Sequence, residues 1–276
     1  MELDRTVAEV AALIQGRVSG SPDRRLTALR APDRAGPDDL VVVFRGEAAR
    51  TVEACQAAAF VVGSRFEVPE SSDRCWIVVA DAEAALDTLT GTWGPRAPEP
   101  PEGVHPLAVV EPGAEGPASC SIGPWAWVGA EARLGERCRL WPGVHVGAGA
   151  QLGDDVRLYP NVFVGARCQL GARVLVYPGA VIGADGFGFR QDAAGRHIKS
   201  PQVGIVVLGD DVEVGAGCTI DRARLEQTVI GEGTKLDAQV HVGHNCQLGR
   251  HDAIAGNCSF GGGARLGDHV MMGGVS

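Results

Sequence analysis

Nowhere in the 276 residues is there a run of the roughly eighteen apolar side chains needed to cross a bilayer. The N-terminus, MELDRTVAEV, has neither the basic n-region nor the apolar stretch of a secretory leader. Basic residues are in deficit: 25 Lys and Arg stand against 34 Asp and Glu. The resulting net charge of −9 gives no general affinity for a phosphate backbone, so nucleic acid is not an expected partner. GxGxxG and GxxxxGK[ST] are both missing, which removes the standard dinucleotide and P-loop sites. No two of the eight cysteines stand in a CxxC spacing, which removes the common zinc and dithiol frameworks. These absences lead to the expectation of a cytoplasmic protein with no membrane-spanning segment and no metal.

What is present is a six-residue period. From Ile122 to Ile182 every sixth residue is a branched aliphatic, eleven in succession, and in eight of the eleven the next residue is Gly. The residue two before the aliphatic is mostly small or β-branched, as at Ala126, Val144 and Val162. Neither a helical nor an alternating pattern gives this register. A triangular parallel β-helix does, with one strand and one corner per six residues and three faces per coil of eighteen. The register resumes at Leu208, Val214 and Ile220, slips by four, and runs from Ile230 to Met272, giving twenty-two faces or roughly seven coils. Six cysteines (120, 138, 168, 218, 246 and 258) fall two before a repeat aliphatic and are expected to be small core fillers, reduced and unpaired.

Residues 1–95 read differently. VAEVAALI, EAARTVEACQAA and DAEAALDTLTGTW have helical character, while DLVVVF, FVVG and WIVVA read as strands, so a small α/β domain is expected. The Pro- and Gly-rich stretch 96–106 reads as a linker, and 107–276 as the β-helix. Residues 184–206 (ADGFGFRQDAAGRHIKSPQVGIV) cannot fit within a coil and must bulge from it as a loop, with Phe187 and Phe189 making a shaped lip for substrate.

The strongest chemical candidate is His244 in VHVGHNCQLG. It follows the inward Val242 by two, which places it near a corner with an outward aim, and Gly262 lies eighteen residues later, one coil along. Coils stack about 4.8 Å apart, so the amides around Gly262 should lie beside the imidazole. A neutral base with an adjacent N–H donor is the minimum for acyl transfer. Asp237, seven residues earlier, could orient the ring across a corner. Spacing alone leaves a solvated surface histidine as the open alternative. His241 and His244, three apart with opposite tendencies in a strand, are not expected to share a metal ion.

The strings IGADGFGFRQD and IKSPQVGIVVLGDDVEVGAGCTIDRARLEQTVIGEGTKLDAQVHVGHNCQLG resemble the UDP-3-O-acylglucosamine N-acyltransferases of lipid A biosynthesis. VHPLAVVEPGA is similar to their entry into the β-helix, and AGPDDLVVVF to their uridine-binding segment. The resemblance covers nearly the whole chain and implies a left-handed β-helix and a homotrimer with active sites between adjacent helices. It also implies transfer of a (3-hydroxy)acyl chain from the phosphopantetheine of acyl carrier protein, with no other cofactor, to the 2-amino group of UDP-3-O-acylglucosamine. His244 matches the family's base, Asp237 its paired carboxylate, the Gly262 amide its oxyanion donor and Phe44 its uracil-stacking aromatic. Asp185, Phe187, Phe189 and Asn245, in the DGFGF and GHN strings, are expected to bind substrate. Arg190, Arg196, Lys199, Arg222, Arg224 and Arg250 are candidates for a basic patch facing the acidic carrier. The sequence departs from the pattern at Arg50, where a second aromatic is usual. It departs again at its end, where the family's C-terminal coils, second histidine and helix would follow Ser276. An acetyl-CoA-dependent sugar-nucleotide N-acetyltransferase and a non-catalytic β-helix trimer are the competing readings.

Overall fold

The computed structural model describes residues 1–44, 48–69, 73–96, 98–116 and 118–276, and the side chains of 48–50 lie outside the description. The chain divides into two compact units, Met1–Pro98 and Glu99–Ser276. The first solenoid strand, Gly103–Val104, already pairs with Ser121–Ile122 inside the Pro-rich stretch that composition marks as a linker. Backbone pairing in a ladder needs no apolar side chain, so composition does not reveal it.

In the first unit the sheet runs Glu2–Thr6, Arg25–Leu29, Asp39–Val42, Ala59–Gly63, Cys75–Val79, Arg17–Ser19. The central strands are parallel and the two edges antiparallel. Leu40, Ala59 and Ile77 pack on one face with Val7, Val10 and Leu89, while Val41, Phe60 and Trp76 pack on the other. Burial on both faces is why these strands read as continuous apolar runs. The edge strands went unread because they are mostly polar; in Glu2–Thr6 only Leu3 is buried. Thr6 and Glu9 form a reciprocal capping box at helix Val7–Leu13, and Asp81 caps helix Ala82–Trp93. Among the described residues no helix is long and apolar enough to cross a membrane.

The second unit is a three-faced parallel solenoid. The chain visits the first face at Trp127–Val128, the second at Arg133–Leu134 and the third at Arg139–Leu140, then returns to the first at His145–Val146. Where the period is unbroken each strand pairs in register eighteen residues on: Val128 with Val146, Val146 with Val164, Leu134 with Leu152, Leu140 with Leu158. The inward aliphatics form one continuous buried column. The corners explain the rest of the repeat. At most corners the residue three before the aliphatic takes a left-handed backbone, as at Glu131, Asp155 and Asn245 (φ 60°, 59° and 62°). The glycine after it is required by close approach, since a Cβ on Gly153 would stand 2.6 Å from the Ala172 nitrogen one coil away.

Both breaks in the period occur at one corner, between the first and second faces. The strand Val181–Asp185 runs beyond Ile182, and a hairpin of Phe189–Gln191 and His197–Lys199 leaves the solenoid before Ile205–Leu208 resumes the second face. One coil later the four-residue slip is a bulge after Arg222, closed before Gln227–Ile230. Hairpin return and bulge bond to each other through Val203 N–H to Arg224 O (3.0 Å) and Gly204 N–H to Ala223 O (3.0 Å).

All eight cysteines are free and buried. The thiols of Cys138, Cys246 and Cys258 donate to the carbonyls of Gly153, Gly261 and Gly273 at 3.1–3.2 Å. Burial pushes the Cys138 thiol up to about 12, and raises Cys120, Cys168, Cys218 and Cys246 in the same direction. A thiol-reactive disulfide reagent at neutral pH should therefore modify none of the eight in the folded protein within minutes and all eight in denaturant, as read by released chromophore.

Candidate active site

His244 stands at the corner that carries both breaks, two coils above the hairpin and one above the bulge. The four-residue bulge holds it through Asn245. Arg224 N–H donates to Asn245 Oδ1 at 3.1 Å, and Asn245 Nδ2 donates to Leu225 O at 3.0 Å, which fixes which end of the amide is oxygen. That oxygen lies 3.1 Å from His244 Nδ1. An acceptor there keeps the proton on Nδ1 and leaves Nε2 as a lone pair, the form a general base needs. The Asn245 amide is thus bonded to both the bulge and the imidazole.

The ring lies between two glycines. A Cβ on Gly186, at the hairpin root, would stand 2.7 Å from His244 Cβ, and one on Gly262 would stand 2.7 Å from Nε2. The corner amide two after each inward aliphatic has no partner on its own coil. In several coils a carboxylate meets it: Glu111 accepts from Ala130 N–H (3.0 Å), Asp154 from Glu136 N–H (2.8 Å) and Asp268 from Arg250 N–H (2.8 Å). Gly262 is the same position in its coil, and among the described residues nothing accepts from its N–H. An open N–H beside an imidazole lone pair can hold a developing oxyanion while the base removes a proton.

Asp237 does not meet His244 within the chain. It follows Leu236 at the corner between third and first faces, the opposite end of the first face from His244, and its Oδ1 accepts from Ala238 N–H at 2.7 Å. Counting seven residues along a six-residue face carries the chain around a whole face, which places the two at different corners. Asp237 instead lines an apolar groove on the third face, about 730 Å³, with Tyr177, Ile254, Met271 and Met272. Another sheltered carboxylate, Asp221 in TIDR, lies on the preceding coil, where burial holds its carboxyl above the usual carboxylate range; the sequence reading did not single it out. It is also 4.0 Å from His241 Nε2. The signal was available: Asp221 follows the inward Ile220 on the coil preceding His244.

The hairpin residues separate. Asp185 pairs with Lys199 (3.3 Å) and Arg222 (3.8 Å) at the root, so two of the expected basic-patch residues are engaged locally. Arg196 is likewise bonded to Asp192 (2.8 Å). Phe187 is 87% exposed and meets Phe189 edge to face at 5.0 Å, with Lys199 over the Phe189 ring. In the first unit, Phe44 lines a cleft of about 350 Å³ with Gly63, Ala80, Asp81 and Glu83, beyond the carboxyl ends of the central parallel strands. Ligands of open parallel sheets bind at such a place. The side chain of Arg50 lies outside the described residues. No three His, Cys, Asp or Glu side chains among those described could hold a metal ion.

Residues 131–166 match the family model for bacterial transferase hexapeptide repeats. The UDP-3-O-acylglucosamine N-acyltransferase of Neisseria meningitidis serogroup B is 45% identical over 93% of this chain and 73% of its own length. Enzyme 1 of that name from Gloeobacter violaceus is 38% identical over 95% and 74%. The chain belongs to the UDP-3-O-acylglucosamine N-acyltransferase family. It is accordingly an N-acyltransferase, and it spans about three quarters of the length of these relatives. Among solved structures, an Arabidopsis UDP-N-acetylglucosamine acyltransferase is 24% identical over 62% of this chain and 59% of that one, with a TM-score of 0.47.

The geometry gives a paired expectation for the His244 corner. Gly262→Ala should displace the imidazole and lower kcat about 10²-fold or more, whereas Gly261→Ala, whose Cβ would meet nothing within 4 Å, should leave kcat and the melting temperature at parent values. Steady-state kinetics and thermal unfolding of the two variants check it.

Proposed function

We propose that this chain moves a (3-hydroxy)acyl group from a thioester on the phosphopantetheine of acyl carrier protein to the 2-amino group of UDP-3-O-acylglucosamine. The observation that carries the mechanism is the pairing of the bare Nε2 of His244 with the unpartnered N–H of Gly262. The amine nitrogen attacks the thioester carbon while His244 Nε2 takes its proton, and the tetrahedral oxygen is held by the Gly262 amide. The C–S bond then breaks, and the departing thiolate takes the proton back from the imidazolium. No metal or further cofactor enters this scheme.

The acceptor reading is supported by the names of the relatives and by the Phe44 cleft, where an aromatic face stands beside polar groups of the kind that read a uracil edge. A homotrimer is supported by outward aromatic columns. Trp127, His145 and Phe163 stack at 4.4 and 4.8 Å on the first face, and Trp141, Tyr159 and Tyr177 stack on the third. Set face to face between copies, the third-face groove with Asp237 would lie against the His244 corner of a neighbour and take the acyl chain. That arrangement gives Asp237 the role of orienting carboxylate that it cannot have within one chain.

Supplying acyl carrier protein thioester and acetyl-CoA separately tests the donor, and only the carrier thioester should be consumed. Consumption of acetyl-CoA alone would identify an acetyltransferase, and consumption of neither would identify a non-catalytic solenoid. His244→Ala should lower kcat by 10²- to 10⁴-fold without changing the melting temperature. Phe44→Ala should raise KM for the nucleotide sugar several-fold with kcat held, since it removes a contact equal in ground and transition states.

A further inference from the structure

We infer that Gln202 is a positioning residue for acyl transfer, acting on His244 through the arch Gly186–Phe187–Gly188. The inference rests on His244 being the base. Gln202 follows the hairpin strand His197–Lys199 and precedes Ile205–Leu208, so it sits where the chain re-enters the solenoid. The three residues after it are tied to the bulge: Val203 N–H donates to Arg224 O, Gly204 N–H to Ala223 O and Ile205 N–H to Glu226 O, each at 3.0 Å. The same bulge holds Asn245 and, through it, the His244 ring.

The Gln202 side chain turns inward beneath the hairpin, where the residue is only 6% exposed. Its Nε2 donates to Ser200 O at 3.1 Å and to Pro201 O at 3.4 Å. Two carbonyls around Nε2 fix that end of the amide as nitrogen. The Oε1 is buried and has no donor among the described residues. Gly188 lies directly on this amide, and a Cβ there would run into Nε2 and stand 3.3 Å from Cδ. Gly188 has no positive φ, so close approach and not conformation excludes a side chain. A buried oxygen without a donor is costly to keep, and it coincides with a glycine that has no room for a methyl.

From Gly188 the arch leads to the base. Gly188 N–H donates to Gly186 O at 2.9 Å, a tight three-residue turn with Phe187 outermost, and Ser200 N–H donates to Gly188 O at 2.9 Å. The other foot, Gly186, is buried against the imidazole, where a Cβ would stand 2.7 Å from His244 Cβ and 3.1 Å from Cγ. Its carbonyl also accepts from Lys199 Nζ at 3.4 Å. Both feet of the arch are therefore packed without slack, one on Gln202 and one on His244. Close-packed groups transmit a shift rather than absorb it, and a misplacement of about 1 Å at a reacting group can cost 10²-fold in rate.

The test is steady-state kinetics of Gln202→Ala, Gly188→Ala and the double variant, at a temperature where circular dichroism shows them folded. Gly188→Ala should force the arch off Gln202 and lower kcat about 10-fold or more, with KM for donor and acceptor within about threefold. Gln202→Ala, which withdraws the support, should lower kcat about fivefold. In the double variant the new methyl enters space the amide has left, and kcat should recover at least to the Gln202→Ala value. Should Gly188→Ala not fold, Gln202→Ala decides alone. A packing role without positioning would lower the melting temperature and leave kcat per folded molecule at the parent value, which overturns the inference. A change confined to KM also overturns it, since Gln202 would then support the Phe187 lip and not the base. Losses that simply multiply in the double variant overturn it as well, because the two residues would be acting independently. His244→Ala, measured in parallel, separates the failures: parent-level turnover there ends the base assignment and this inference with it, whereas an inactive His244→Ala beside parent kcat in the other variants overturns Gln202 alone.

Discussion

Everything in the second unit depends on parallel strands stacking in register, coil on coil, so that one residue is always covered by the one a full turn later. The aliphatic column enforces this, because a one-residue slip would turn every inward side chain out to solvent. In-register stacking converts sequence distance into a simple spatial rule. Residues eighteen apart touch, and an inserted segment leaves the solenoid without disturbing the coils on either side. The hairpin, the bulge, His244 and Gly262 come from four coils and form one vertical edge for that reason.

The candidate site arises where the repeat is relaxed rather than where it is kept. The corner amides two after the inward aliphatics lack a backbone partner, and some of them are met by a carboxylate reaching from a neighbouring coil. At Gly262 that acceptor is missing and the imidazole stands there instead. The bulge supplies the second departure, since its extra residues bring Arg224 N–H and Leu225 O to the Asn245 amide and through it set the His244 tautomer. A rigid scaffold that repeats unsatisfied donors at fixed intervals needs few changes to turn one of them into an oxyanion site.

The first unit works by a different rule. Its parallel strands are buried on both faces, and a cleft opens beyond their carboxyl ends, with Phe44 in its lining. Under the proposed function the work would divide along the same line, with nucleotide recognition at the open parallel sheet and acyl transfer at the solenoid corner.

The six-residue period determined the solenoid, its three faces, the inward column and the burial of the cysteines, because each depends on local spacing repeated many times. It also determined that Gly262 would lie beside His244, because that pairing is a count of eighteen. Handedness came from family resemblance and not from spacing. What only the tertiary structure decided are the relations across corners. Asp237 lies at the wrong end of a face to meet His244 in its own chain, Asn245 is bonded to the bulge, and Asp221 comes within 4.0 Å of His241 on the next coil. Spacing along a strand fixes which side a residue takes, but the turn angle at a corner and the reach of a side chain around it are set by packing between coils, which no single hexapeptide contains.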